Sequence, residues 1–333
     1  MREIKADLER WHAAGERVAL ATVVATRRSA PRPVGSKLGV SSGGELAGSV
    51  SGGCVENEVY GAAQEVLAGA PPRLLTYGIS DDLALEVGLP CGGEIDVWVE
   101  APPRETLERL AAAERAARLV VVSGPGAGAE LDAPELAEEL IRGGRSRLLE
   151  LEGRTVFADV VAPPPRLLVF GAVDTAEALC RVAKTLGWTT IVADARGKFA
   201  TKDRIPSADE LIVAWPEEAL AQVAPDHATA VVVLTHDDRF DAPALAGALE
   251  SEAFYIGALG SRRNQERRRE RLLEAGVAEE QLDRIAGPSG LDIGASTPAE
   301  TALSILAEIV ARRAGRDGGP LKEAGGRIHT DVA

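Results

Sequence analysis

Residues 166–194 read RLLVFGAVDTAEALCRVAKTLGWTTIVAD. RLLVFG reads as a buried strand, DTAEALCRVAKTLG as a helix that stops at Gly187, and TTIVAD as a second strand. Strands this uniformly apolar are covered on both faces, which a parallel sheet between two helical layers provides. The same alternation continues downstream. ELIVAW (210–215), TAVVVLTH (229–236) and FYIGALGS (254–261) read as further strands, each separated by a helical segment. The pattern predicts an α/β fold with a doubly wound parallel sheet. A closing helix is announced by a capping box, Thr297 with Glu300, and by Pro298 at its first position.

Upstream, APPPR (162–166) is a stiff linker, since consecutive prolines stop any helix. The half before it is less regular. RVALATVVATR (17–27) alternates as a strand does, and a hairpin closes at Ser42-Gly43-Gly44. A helix beginning near Gly52 places Val55, Val59, Ala62 and Val66 on one face. CGGEIDVWVE (91–100) is a strand with Ile95, Val97 and Val99 on its buried side; a helix at about 104–117 and a hairpin around Glu152-Gly153 follow. Strands and helices mix here without a repeat, which predicts an α+β domain. The expected organisation is a domain over 1–160, a linker over 161–165, a domain over 166–315 and a flexible tail over 316–333.

Composition narrows the function. The 333 residues carry a net charge of −14, so nucleic acid and anionic lipid are repelled in bulk and any polyanion needs a local basic site. No apolar run approaches the roughly 18 residues of a membrane span, and the charged first helix lacks the apolar core of a signal peptide. Three cysteines, Cys54, Cys91 and Cys180, are too few for a disulfide framework. A cytoplasmic protein is expected.

Two sets of residues carry chemistry. At the strand–helix junction, Gly171 fits the first position of a dinucleotide fingerprint and Ala176 the last, while Val173 stands where backbone must approach a pyrophosphate. Asp174 adds a negative charge at that helix start, but Asp194 stands where a ribose-binding acid belongs. Thr235, His236 and Asp237 end the next strand, where open α/β sheets bind ligands. Gly257 and Gly260 leave backbone bare, and Ser261, Arg262 and Arg263 open a helix in a pattern that suits phosphate. Arg267, Arg268, Arg269 and Arg271 read as a solvated face with Glu266 and Glu270. The bland alternatives are a doubly wound sheet without a nucleotide and a structural histidine.

The second set lies in the first half. Cys54 sits in SGGCVE and Cys91 in PCGGE, each beside Gly-Gly. A thiol in the first turn of a helix is polarised toward thiolate, and thiolates bind soft metals and carry sulfur. The Gly52-Gly53 turn is expected to offer bare N–H groups to an anion. The competing reading is a small buried hydrophobe, which suits Cys180 within its helix.

GSVSGGCVENEV, CGGEIDVWVE, VADAR followed by FAT, VVVLTHDDRFD, FYIGALGSRR and GPSGLDIGASTPAETALSILAEI together resemble the XdhC/CoxI family, from about Thr26 to Arg312. The resemblance implies an N-terminal XdhC/CoxI domain and a C-terminal Rossmann-like domain. It implies an accessory factor that binds molybdenum cofactor, as molybdopterin or its cytosine dinucleotide form, aids its sulfuration and passes it to an apo molybdenum hydroxylase of the xanthine or carbon monoxide dehydrogenase type. A homodimer and a cysteine desulfurase partner come with that expectation. The cysteine motifs map onto Ser51, Gly52, Gly53, Cys54 and Glu56 and onto Cys91, Gly92 and Gly93, with Cys54 facing the molybdenum or its sulfur. Asp194 and Arg196 of VADAR join the cofactor-binding set. Readings that compete are an NAD(P)-dependent oxidoreductase, a nucleotide-binding regulatory protein, and a chaperone that never touches cofactor.

Overall fold

The computed structural model describes residues 1–27, 30, 32–78, 93–235 and 237–323. The chain divides at Pro163 and Pro164 into a first unit, Met1–Pro163, and a second, Pro164–Pro320. The proposed tail beyond residue 323 lies outside the described residues.

In the first unit the elements run α1 (Lys5–Ala13), β1 (Val18–Arg27), β2 (Lys37–Ser41), β3 (Leu46–Gly48), α2 (Glu56–Leu67), β4 (Arg73–Tyr77), β5 (Glu94–Glu100) and α3 (Arg104–Ala112). They continue through β6 (Ala116–Ser123), β7 (Glu130–Leu131), α4 (Pro134–Gly143), β8 (Arg147–Leu151) and β9 (Arg154–Val161). Two antiparallel sheets result, in the orders β3-β2-β1-β5-β4 and β7-β6-β9-β8. One face of β1, with Ala19, Ala21 and Val23, packs against Val59, Ala63 and Val66 of α2. The other face meets Trp11 of α1 and Leu107 of α3 through Val18 and Leu20. Val24, at a register shift between Val23 and Ala25, meets Trp98, Val120 and Phe157. The helix expected over 104–117 stops at Ala112, because residues from Ala116 onward are taken into β6, where Leu119–Val122 are buried. The hairpin turn between β8 and β9 places Glu152 and Gly153 at positive φ, the pairing that suits the twist of adjacent strands.

Two buried cations, Lys37 and Arg118, join the two sheets of this unit. Lys37 Nζ donates to both Asp159 carboxylate oxygens at 2.8 Å, and both side chains are about 95% buried. Arg118 donates to Glu100 at 2.5 and 2.9 Å and to Glu130 at 2.7 Å.

The second unit follows the alternation read from the sequence: β10 (Arg166–Phe170), α5 (Asp174–Thr185), β11 (Thr189–Ala193), β12 (Glu210–Ile212), α6 (Pro216–Val223), β13 (Thr229–Val233) and α7 (Asp238–Glu250). β14 (Tyr255–Ala258), α8 (Arg262–Glu274), α9 (Glu279–Leu282), β15 (Ile285–Ala286) and α10 (Pro298–Arg313) complete it. The sheet order is β12-β11-β10-β13-β14-β15 and every pairing is parallel, the 3-2-1-4-5-6 order of dinucleotide-binding folds. Leu167 and Val169 face α5 and α10, while Leu168 and Phe170 face the layer of α6, α7 and α8. Successive residues thus enter opposite cores, which is why these strands are apolar throughout. The two-residue strand β15 is too short for any periodic signal. ELIVAW yields only three paired residues, since Val213 beyond them is 58% exposed. Among the described residues no helix is long and apolar enough to cross a membrane.

The buried Lys37–Asp159 pair generates a stability prediction. Asp159→Asn leaves a buried ammonium without its counter-charge, and urea unfolding should show a loss of about 3–5 kcal/mol. The double variant Lys37→Met/Asp159→Leu should recover most of that loss.

Candidate functional site

The Ser-Gly-Gly-Cys turn of the first unit links β3 to α2. Gly52 and Gly53 adopt φ of +76° and +114°, conformations that L side chains rarely take, and a Cβ at either would meet nothing within 4 Å. Glycine is required here by the backbone rather than by crowding. Gly52, Gly53 and Cys54 are all exposed.

The turn's donors are not bare, contrary to the sequence expectation. The Glu56 carboxylate accepts from Ser49 Oγ (2.7 Å) and from the backbone N–H of Val50 (3.3 Å), Ser51 (2.9 Å), Gly52 (3.1 Å) and Gly53 (2.9 Å). It also takes a short hydrogen bond from Ser51 Oγ. Ser51 Oγ in turn accepts from Cys54 N at 2.9 Å and Val55 N at 3.0 Å. Burial works to raise the Glu56 carboxyl, but the hydrogen bonds from Ser51 and Ser49 outweigh it and bring it down to about 2. An ionised carboxylate of the chain itself therefore fills the anion-binding concavity. Cys54 is also displaced from the expected first helical turn: α2 begins at Glu56, with Val55 as its N-cap. What the turn presents outward is a thiol on a hydrogen-bonded support.

Of the second cysteine motif, Gly93 is buried just before β5, while Cys91 and Gly92 lie outside the described residues. Cys180 is fully buried in the core beside α10, and that burial pushes its thiol up to about 12.

The candidates of the second unit gather along one edge of the parallel sheet. Phe170 pairs in register with Ala193 and Val233, and Val233 with Ala258, so four strands end at the same level. Gly171, Asp194, Thr235 and Gly260 emerge there. Gly171 (φ +105°) sits at the point where strand order reverses, and a Cβ would lie 2.8 Å from Thr235 Cγ2. Asp194 points inward: its carboxylate accepts from Ala172 N at 2.9 Å and from Arg196 N, Nε and Nη2 at 2.9, 2.9 and 2.7 Å. Burial opposes ionisation of Asp194, and the Arg196 and Ala172 hydrogen bonds prevail, holding it below the ordinary value. A ribose hydroxyl would compete with these donors. Asp237 caps α7 and accepts from Arg239, whose side-chain and backbone hydrogen bonds lower its carboxyl to about 2. His236 lies outside the described residues.

Two expectations are corrected at this edge. Gly257 is inside β14 and buried; a Cβ there would strike the Tyr255 ring at 2.6 Å and Ser289 Cβ at 3.0 Å, so it serves packing and leaves no bare strand end. Arg268 is not part of a solvated face. It is 7% exposed, and its Nη2 donates at 2.8 Å to Asp241 Oδ2 and at 3.1 Å to Leu259 O. Asp241 also accepts a short hydrogen bond from Thr235 Oγ1. This Thr235–Asp241–Arg268 chain, absent from the sequence reading, ties the segment after β13 to the middle of α8 across 33 residues of sequence. Ser261 caps α8 by accepting from Asn264 N at 3.3 Å. Arg262 and Arg263 are exposed in its first turn, and among the described residues neither guanidinium has an ion-pair or hydrogen-bond partner.

An antiparallel unit displaying a thiol on a glycine turn, followed by a dinucleotide-ordered parallel sheet, defines a two-unit protein with a Rossmann C-terminal half. Residues 167–309 match the XdhC Rossmann domain, and residues 11–78 match the XdhC and CoxI family. Over 318 residues the chain is 30% identical to a Bacillus subtilis (strain 168) protein named as a probable subunit of xanthine dehydrogenase, covering 90% of this chain and 94% of that one. It is 29% identical over 304 residues to "Molybdenum cofactor insertion chaperone PaoD" of Escherichia coli (strain K12), covering 90% and 84%. A crystal structure described as a xanthine dehydrogenase from Bacillus halodurans superposes with a TM-score of 0.68 at 28% identity over 98% of both chains. The chain belongs to the XdhC and CoxI family.

The Glu56 support gives a pH signature. Its depressed pKa contributes stability that is fully present above the ordinary value of 4.5 and is lost as pH falls toward about 2. Glu56→Gln should be less stable than wild type in urea at neutral pH. The gap should close between pH 4.5 and about 2.

Proposed function

We propose that this protein is a maturation factor for a molybdenum hydroxylase of the xanthine or carbon monoxide dehydrogenase type. It binds the molybdenum cofactor as cargo, assists its sulfuration and delivers it to the apo-enzyme, as a carrier rather than a turnover enzyme. The observation that carries this reading is Cys54: an exposed thiol held on a preformed turn, in a family that includes a protein named as a molybdenum cofactor insertion chaperone. A thiol is a ligand for soft metals and a carrier of sulfur, whereas an exposed structural cysteine would be an oxidation liability.

In this reading Cys54 faces the metal or its sulfur, and Cys91 is the alternative sulfur-handling thiol. Because Glu56 already occupies the turn's donors, a phosphate is better served within the second unit by Gly260, Ser261, Arg262 and Arg263, whose guanidinium groups have no partner among the described residues. The proposal extends to the cytosine dinucleotide form of the cofactor, to a cysteine desulfurase as sulfur donor, to a homodimer and to a cytoplasmic location.

A nucleotide-binding role for the second unit is the other reading with a specific observation behind it, the 3-2-1-4-5-6 strand order. Val173 at the second fingerprint position and the engaged Asp194 carboxylate weigh against ordinary NAD(P)-dependent hydride transfer.

The test is the pterin content of protein purified from a host that makes molybdenum cofactor, measured after release and oxidation to the fluorescent form. Wild type should carry pterin near one equivalent per chain, and Cys54→Ser should lose most of it. Absence of pterin from both would end the carrier reading.

A further inference from the structure

The first unit contains a cavity of about 920 Å³ that none of the residues singled out from the sequence lines. Its walls come from the end of β1 (24–27), the β1–β2 connection and first residue of β2 (30 and 32–37), the chain start, the segment leading into β8 (144–148) and the end of β9 with the residue after it (159–162). The cavity is preformed. Gly35 N donates to Val23 O at 2.8 Å and Val23 N to Ser36 O at 2.9 Å, pinning the connection to β1. Gly35 (φ +89°) lies so close to Ser146 that a Cβ would stand 3.1 Å from its Oγ, and that Oγ accepts from Val160 N at 3.0 Å.

The lining is basic within an acidic chain. Arg27, Arg32, Lys37, Arg145 and Arg147 face it, against the carboxylates of Glu3 and Asp159, while the whole protein carries −14. Two of these cations are neutralised by buried partners: Lys37 by Asp159, and Arg27 by Asp96 at 2.7 Å. Arg32 differs. Its counter-ion is Glu3, which is 64% exposed, and its Nε is buried without a hydrogen-bond acceptor among the described residues. An ion pair to an exposed carboxylate is weak, so an oxyanion entering the cavity can compete with Glu3 for the Arg32 guanidinium. Apolar side chains (Val24, Val34 and Leu148) supply the remaining wall, and the volume falls in the roughly 300–1,000 Å³ range of small-molecule sites.

We infer that this cavity binds a small organic phosphate, its ring against Val24, Val34 and Leu148 and a phosphate oxygen on Arg32, with Arg145 and Arg147 adding positive charge. The phosphate could come from a free nucleotide or from the phosphate-bearing part of the proposed cargo. The inference does not rest on Cys54.

Titration calorimetry on the full chain tests it, with cytidine 5′-monophosphate, 6-hydroxymethylpterin phosphate and inorganic phosphate as probes. At least one organic phosphate should bind, more tightly than inorganic phosphate and more weakly as salt rises. Arg32→Gln should weaken binding at least tenfold without a change in melting temperature; should that variant not fold, Arg147→Gln carries the same expectation. Cys54→Ser should bind the probe as wild type does, which separates this site from the carrier reading. Tighter binding of the pterin probe assigns the site to cargo, and tighter binding of the cytidine probe assigns it to a nucleotide. Wild-type affinity in a folded Arg32→Gln protein, or no preference for organic over inorganic phosphate, would overturn the inference.

Discussion

One carboxylate organises the candidate site of the first unit. Glu56 draws the N–H groups of residues 50–53 and two serine hydroxyls onto itself, and the chain between β3 and α2 must fold around it. Three consequences share this cause. The glycines adopt positive φ because four consecutive N–H groups converge on one acceptor. Exposed Cys54 is tied to the same carboxylate at one remove, its N–H donating to the Ser51 hydroxyl that in turn donates to Glu56. The turn carries negative charge, so its chemistry is that of a thiol rather than of an anion receptor.

The second unit uses the same device at its sheet edge. Asp194 and Asp241 take the donors that would otherwise face a ligand, from Ala172, Arg196, Thr235 and Arg268. The strand order is that of a nucleotide-binding fold, but much of the polar machinery at the crevice is engaged internally, which rigidifies the loops. Positive charge with unmet hydrogen-bonding capacity appears elsewhere, at Arg262 and Arg263 on α8 and, within the first unit, at Arg32.

Much of the fold was legible in sequence because it depends on short-range periodicity. Alternate residues of RLLVF enter opposite cores, so a continuous apolar run signals a strand covered on both sides. The Thr297–Glu300 capping box was visible because both partners lie within one helical turn. The candidate site stands out in the sequence as residue identities, while its hydrogen bonding does not. Ser51, Gly52, Gly53, Cys54 and Glu56 all stand out in the sequence, yet the sequence suggests open donors, and only the folded turn reveals that Glu56 occupies them. Arg268 reads as one more exposed arginine in an arginine-rich helix, because its partner Asp241 is 27 residues away. The basic cavity escaped for the same reason: its cations come from segments more than a hundred residues apart.

The sequence by itself determined the parallel, doubly covered sheet of the second unit and a family resemblance that the matching relatives establish. These are properties of local pattern and of motif, carried by residues near one another in the chain. Tertiary structure alone decided which charges are buried in pairs, which N–H groups are already satisfied, and where an unpartnered guanidinium N–H is left. Each of those depends on a desolvation cost and on a partner brought from a distant segment, and neither exists until the chain has folded.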